Sequence, residues 1–241
     1  MPPKVLVFTP TFNEVDNIRN LLVRILDVSP ELNILVVDDS SNDGTMELLA
    51  NLSKTINQLT VVFRPKRSGI GSAHMVAIQN ALEGGYDLLV TLDADLSHDP
   101  EDITRFIEAS KFANYIVGTR SRGGETELKG MRRILSKGAN LLCRVLLPCG
   151  LSEYTTAYRC YDKAAMRVML DQPPKDEGYS FFIEATEILF RRGLKLGEIP
   201  ILFRNRHKGE SKIPSMQVFK SAAKILLLFS SRIIWKLSWK R

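Results

Sequence analysis

The stretch Leu88–Glu101, LLVTLDADLSHDPE, passes from an apolar run into an acidic loop and then into a proline-marked turn. Leu88–Leu92 reads as a strand covered on both faces, because it is short and apolar without alternation. Asp99, Pro100 and Glu101 supply a cap, a first-turn proline and an acid near the positive end of a helix dipole, so a helix opens there. The same order recurs toward the N-terminus. Lys4–Thr9 (KVLVFT) predicts a strand, and Glu14–Val28 predicts a helix with Val15, Ile18, Leu21, Leu22, Ile25 and Leu26 on one face. Asn33–Val37 predicts a strand before a helix over Thr45–Lys54, and Leu59–Phe63 a strand before a helix over Ser72–Glu83. Toward the C-terminus, Tyr115–Val117, Thr156–Tyr161 and Lys195–Phe203 predict strands, 130–147 and Tyr179–Arg192 predict helices, and Arg204–Lys212 is a polar loop. Strands alternating with helices predict an α/β fold, a three-layer sandwich around a mostly parallel central sheet. Ligands bind beyond the carboxyl ends of such strands, which singles out Pro10–Glu14, Asp38–Thr45, Asp93–Ser97 and Gly118–Arg120.

The 241 residues are 44% hydrophobic and 25% charged, a soluble globular balance that excludes a disordered or fibrous chain. No signal for a secretory leader precedes the first strand. Cys143, Cys149 and Cys160 have no CxxC spacing, so a disulfide scaffold and a cysteine-built zinc site are not expected, and a reducing compartment is. The net charge of +6 is carried by the end of the chain: Lys220, Lys224, Arg232, Lys236, Lys240 and Arg241 follow Val218 without an acid. The rest is neutral, which argues against nucleic acid as a partner. The same tail (213–241) interleaves aliphatics with Trp235 and Trp239, but the longest uncharged run from Val218 on, Ile225–Ser231, is far below the roughly 20 residues a membrane span needs. It reads either as a basic amphipathic helix at a membrane surface or as a helix packed on the domain or on a partner's membrane helices. Residues 130–147 read as a second basic amphipathic helix, with Arg132, Arg133, Lys137 and Arg144 among Ile134, Leu135, Leu141, Leu142, Val145 and Leu146.

Asp93-Ala94-Asp95 places carboxylates at i and i+2, which face one side in extended backbone. Like charges this close call for a cation, and a hard ion such as Mg²⁺ or Mn²⁺ takes oxygen ligands and bridges to phosphates. The alternative is a solvated Asp turn before a helix. Asp39 can accept from a nucleobase N–H, whereas Asp43 and Thr45 read as an Asx turn and helix start. Arg64–Gly71 (RPKRSGIG) resembles an anion cradle at a helix N-terminus, without Walker or GxGxxG spacing. Arg206, Lys208 and Lys212 form a basic loop able to close over phosphates, or a solvated surface loop. His98 reads as a spectator or a supporting group beside the Asp pair, and His74 and His207 as surface residues.

Together these segments resemble the family 2 glycosyltransferases of GT-A (Rossmann-like) fold, of the dolichol-phosphate mannosyltransferase type. The resemblance runs from Val5 to Lys212 and rests on PTFNE (10–14), VVDDSSNDGT (36–45), RPKRSGIGSA (64–73), DADLSHDPE (93–101), GTR (118–120), RRILSKGAN (132–140), TTAYR (155–159) and RHKGESK (206–212). Phe12 stands where the family usually has Tyr, and Ser97 where some relatives have Gln. The resemblance implies a catalytic domain over 1–212 and an inverting transfer of mannose from GDP-mannose to a polyprenyl (dolichyl) phosphate. It also implies that Pro10, Phe12, Glu14, Val37 and Asp39 hold the nucleotide. Asp93, Ala94 and Asp95 bind diphosphate and Mg²⁺ or Mn²⁺, with Ser97 or water completing the metal. Arg206 and Lys212 clamp the diphosphate, and Glu184 lines the sugar pocket. Arg120, Arg132 and Ser136 grip the acceptor phosphate, and Asp95 and Arg120 carry the chemistry. A peripheral protein on the cytoplasmic face of a membrane is implied, with small transmembrane anchoring subunits as candidate partners. A UDP-glucose-dependent polyprenyl-phosphate transferase and a non-catalytic subunit of the same fold are the alternatives.

Overall fold

The computed structural model describes residues 2–205 and 216–238, except the side chains of Arg132, of 216–221 and of 235–238. The chain runs β1 (Val5–Thr11), α1 (Ile18–Val28), β2 (Asn33–Asp38), α2 (Thr45–Leu52), β3 (Leu59–Phe63), α3 (Ile70–Glu83) and β4 (Leu88–Thr91). A 3₁₀ turn (Pro100–Asp102) leads into α4 (Ile103–Ala109), then β5 (Tyr115–Thr119), β6 (Glu125–Thr126), α5 (Gly130–Leu146), β7 (Arg159–Asp162), α6 (Lys163–Asp171), α7 (Phe181–Arg191), β8 (Leu196–Pro200), β9 (Leu202–Phe203) and α8 (Met216–Ser238). Asp99 caps the 3₁₀ turn by accepting from Glu101 N, as the sequence predicts.

Seven strands form one sheet in the order β3-β2-β1-β4-β7-β5-β8. All neighbours are parallel except β7, which runs antiparallel between β4 and β5. Side chains alternate across the strands. Leu6, Phe8, Leu35, Val37 and Leu89 face α3, α6 and α7, while Val5, Val7, Ile34, Val36 and Val90 face α1, α2 and α4. Burial of both faces explains why the strands are apolar without alternation. Register matters more than strand count for the site. Thr11 pairs with Asp38 and Phe8 with Thr91, so β1, β2 and β4 release their loops along one edge.

Two predicted strands differ in extent. Lys195–Phe203 divides at Ile201: Leu196–Pro200 pairs with β5, and Leu202–Phe203 pairs with β6 in a separate two-stranded sheet. Pro200 has no N–H to carry the ladder onward, and Ile201 instead bridges the sheets, its N–H donating to Thr119 O and its carbonyl accepting from Glu125 N. The predicted strand Thr156–Tyr161 begins only at Arg159. That fully buried guanidinium donates to Tyr154 O and Thr156 O, both at 2.7 Å, which curls the preceding backbone around it.

His74 is not at the surface, as its polarity suggested. It lies on the inward face of α3, 4.9 Å from the ring of Phe8 and 5.0 Å from that of Phe182, and its Nδ1 donates to Ile70 O at 2.8 Å. Burial pushes its pKa down to about 4, with the nearby Arg159 charge adding to the effect against the hydrogen bond to Ile70. A histidine with a lowered folded pKa binds fewer protons folded than unfolded. Its stability contribution is therefore intact above pH 6.5 and is lost as pH falls toward 4. The loss attributable to His74 is of order 3 kcal/mol. Urea midpoints at pH 7 and 4.5 should fall steeply in the wild type and less in His74→Gln.

Candidate active site

Three parallel strands end together, and each exit turns through a non-glycine residue in the left-handed region: Asn13 after β1 (φ 57°), Ser40 after β2 (φ 63°) and Leu96 after β4 (φ 61°). Such residues concentrate where surrounding contacts over-determine the backbone. Here the contacts are side-chain to backbone. Asp38 accepts from Thr11 Oγ1 (2.9 Å), Ser41 N (2.9 Å) and Ser41 Oγ (2.6 Å). Asn13 N donates to Ser41 Oγ and Asn13 Oδ1 accepts from Asn42 N. Glu14 N donates to Thr45 Oγ1, and Asp43 makes the expected Asx turn onto Thr45. Pro10, Phe12, Glu14 and Val37 therefore lie on or beside two loops stapled to each other.

Asp39 is engaged by the protein itself. Its oxygens accept from Ser68 N (2.8 Å) and Gly69 N (3.0 Å), and the Arg64 guanidinium pairs with it at 2.8 Å. The carboxylate orders the 64–69 loop, and a nucleobase would have to use its remaining lone pairs. The anion-cradle reading of this loop is corrected for the same reason. Its N–H donors face Asp39, and Gly71 N donates to Glu177 O at 2.7 Å. A Cβ at Gly71 would sit 2.7 Å from Asp176 O, so the glycine is needed to admit the 176–177 backbone. Arg67 stacks on Phe12, 4.2 Å from the ring centroid.

The Asp93–Asp95 pair lies beyond the end of β4, in a turn rather than in extended backbone. Asp95 is buried, and its Oδ1 accepts from Ser97 N (3.0 Å) and Ser97 Oγ (2.5 Å); the Asp93 side chain is 31% exposed. Ser97, expected as a metal ligand, thus turns its hydroxyl onto Asp95 and orients it. Asp93 N donates to Nδ1 of the buried His98 at 3.1 Å. Burial keeps His98 neutral, its pKa down to about 4 with the Asp95 charge opposing and the Arg120 charge assisting, so the ring can accept that bond. Among the described residues no third His, Cys, Asp or Glu completes a protein-only metal cluster. Two carboxylates with oxygen-only chemistry fit Mg²⁺ or Mn²⁺, which complete their shells with water and phosphate oxygens.

The second half of the chain meets this loop directly. Arg204 N donates to Ser97 O at 2.9 Å, and the Arg204 side chain pairs with Asp99. Arg206 and Lys212 lie outside the described residues. The ring of Phe203 stands between His98 (centroids 5.2 Å apart) and the Arg120 guanidinium (5.2 Å from the ring). Beyond Arg120 opens a cavity of about 430 Å³, also lined by Ser136, Arg133, Lys137, Arg144 and Glu153.

Arg120 is held by a residue that the motif reading passed over. Glu153, 1% exposed, takes Arg120 Nε and Nη2 at 2.9 Å each, and Thr155 Oγ1 takes Nη2 at 2.7 Å. Asn140 Nδ2 also donates to Glu153, at 2.8 Å. Burial works against the Glu153 charge, but the Arg120 guanidinium and hydrogen bonds from Arg120 and Thr155 outweigh it and hold the carboxyl below its ordinary value. Asn140 and Thr155 fall inside segments that carry the family resemblance, so a weak signal existed. Only the fold joins them to Glu153.

Glu184, expected in a sugar pocket, sits on α7 with Oε2 accepting from Lys175 N, Asp176 N and the ammonium of Lys224 on α8 (2.6 Å). It braces the 175–177 loop that covers Gly71. On α8, Ile225 and Arg232 point inward while Leu226, Leu227, Ile233 and Ile234 are exposed. On α5, Met131, Ile134, Leu141 and Val145 are exposed. Among the described residues no helix is long and apolar enough to cross a membrane.

The profile described as Glycosyl transferase family 2 matches residues 6–170. An undecaprenyl-phosphate mannosyltransferase of Micrococcus luteus is 34% identical over 212 residues, 87% of each chain. A polyprenol monophosphomannose synthase of Mycolicibacterium smegmatis is 33% identical over 226 residues, 92% of this chain and 85% of that one. Among solved structures, glucosyl-3-phosphoglycerate synthase of Mycobacterium tuberculosis, in complex with Mn²⁺, UDP and phosphoglyceric acid, shares the fold at 18% identity (TM-score 0.69, 95% of this chain, 78% of that one). A mannosyltransferase of Pyrobaculum calidifontis in complex with GDP-Man and Mn²⁺ does so at 19% identity (TM-score 0.62, 97% and 65%).

Removing one member of a buried ion pair leaves the other uncompensated, at a cost of about 3–5 kcal/mol. Glu153→Leu should lose that much in urea unfolding, and Arg120→Met/Glu153→Leu should recover most of it.

Proposed function

The chain belongs to glycosyl transferase family 2, and from that membership we propose that it moves mannose from GDP-mannose to a polyprenyl phosphate, inverting the anomeric centre. The observation that carries this reading is the adjacency of two sites suited to different anions: the Asp93–Asp95 turn and, across the Phe203 ring, the Arg120 cavity. The names of two relatives above 30% identity support a polyprenyl-phosphate acceptor and a mannosyl donor.

A phosphate monoester has a second pKa of about 6 and is largely dianionic at neutral pH. Such a nucleophile needs placement more than deprotonation, so no general base is required of the site. Glu153 occupies the Nε–Nη2 edge of Arg120, which leaves Nη1 without a protein acceptor among the described residues. That edge and Ser136, with Arg132 from the same helix, would hold the acceptor phosphate. One phosphate oxygen bonds to the anomeric carbon as the bond to the GDP oxygen breaks, and the sugar becomes β-linked. A divalent ion held by Asp93 and Asp95 would neutralise charge on the departing diphosphate. Ser97 keeps the Asp95 carboxylate oriented, and His98 fixes the backbone of Asp93. Pro10, Phe12, Glu14, Val37 and Asp39 would flank the nucleotide, and Ala94, buried between the two aspartates, would lie beside the diphosphate. Arg206 and Lys212 would clamp that diphosphate, a role supported by the chain's departure from beside Ser97. Glu184 would border the sugar site through the loop it braces.

The exposed apolar residues of α5 and α8 support a peripheral position at a membrane surface, where a lipid acceptor is reached from the interface, and the face we propose is the cytoplasmic one. Transfer of radiolabel from GDP-mannose to a polyprenyl phosphate should require Mg²⁺ or Mn²⁺. Asp95→Asn should lower kcat by at least about 100-fold, in the range found for removing one electrostatic contact to the transition state, and Asp27→Ala should not. Incorporation from UDP-glucose alone would overturn the donor assignment.

A further inference from the structure

We propose that Arg133, Lys137 and Arg144 of α5 form a docking edge for anionic lipid headgroups. This rests on the reading that α5 faces a membrane. The three cations are spaced four and seven residues apart and so lie along one line of the helix, at the rim of the Arg120 cavity. Met131, Ile134, Leu141 and Val145 are exposed on the adjoining line. An apolar stripe bordered by long cationic side chains is the arrangement of a helix lying in a headgroup layer, stems buried and charges raised to the phosphates.

Charge partners separate the two helices. Arg133, Lys137 and Arg144 are exposed and have no ion pair or side-chain hydrogen bond among the described residues. The acid nearest to them in the cavity, Glu153, is bound to Arg120, Thr155 and Asn140. On α8 the described cations face inward. Lys224 pairs with Glu184 at 2.6 Å. Arg232 is buried beside Glu187 (3.4 Å), lies over the Phe190 ring (4.5 Å) and donates to Pro148 O. The sequence locates the excess charge in the tail, but the fold directs that part of it into the domain. Each exposed cation near an anionic leaflet is worth roughly fivefold in partitioning, and three together about 100-fold.

The test is co-sedimentation of the full chain with vesicles of phosphatidylcholine alone or with phosphatidylglycerol added. The triple variant Arg133→Ala/Lys137→Ala/Arg144→Ala should lose about 100-fold of its partitioning onto the anionic vesicles and keep its binding to the neutral ones. Unaltered binding of the triple variant to the anionic vesicles, or an equal loss on the neutral ones, would overturn the proposal. The vesicles hold no polyprenyl phosphate, so a loss on them reports headgroup binding and not the acceptor phosphate. The vesicle measurement needs no turnover, so a failed transfer assay bears on the catalytic reading alone.

Discussion

The parallel register of β1 between β2 and β4 is the constraint on which the site depends. A parallel pair has no hairpin, so each strand must leave the sheet at the same edge and return through a helix. Three loops consequently open side by side, and each must bend sharply within a few residues. Asn13, Ser40 and Leu96 take left-handed backbone to do so. For a leucine that conformation is costly, and it persists because the neighbouring Asp95–Ser97 and Asp93–His98 bonds fix the turn on both sides.

Charge is handled by pairing most acids at the edge with donors from the chain itself. Asp38 accepts from Thr11 and Ser41, Asp39 from the 64–69 loop with lone pairs left over, and Glu153 from Arg120. Each of these carboxylates holds loops or side chains in place by virtue of where its donors lie. The Asp93 side chain differs, because a third of it meets solvent. On the opposite side of Phe203 the balance reverses, and cations at the cavity rim outnumber acids. One edge of the sheet thus carries an acidic turn and a basic cavity a few side chains apart, which suits a reaction joining two phosphate-bearing substrates.

α8 connects these features to the rest of the domain. Lys224 ties it to Glu184, and Glu184 in turn holds the 175–176 backbone next to the glycines at the start of α3. Arg191 reaches from α7 to Ser231 and Leu228 O. The helix is therefore both packed and exposed: one line of it is part of the core, and the opposite line is apolar and open.

Local patterns settled the order of strands and helices, the buried parallel sheet, the Asp99–Glu101 helix start and the Asp43 turn, because each depends on residues a few positions apart. The family was legible for the same reason, since its segments are short and each is read within one loop. The sequence could not tell that His74 is caged by Phe8 and Phe182, that the basic 64–71 loop is filled by Asp39 and Glu177, that Glu153 grips Arg120, or that Lys224 and Arg232 turn inward. Each of those facts joins residues from separate elements. A polar or charged side chain looks the same in a sequence whether it meets water or a buried partner. Only the packed sheet and its helices decide which, by bringing the partner within hydrogen-bond reach and removing the solvent.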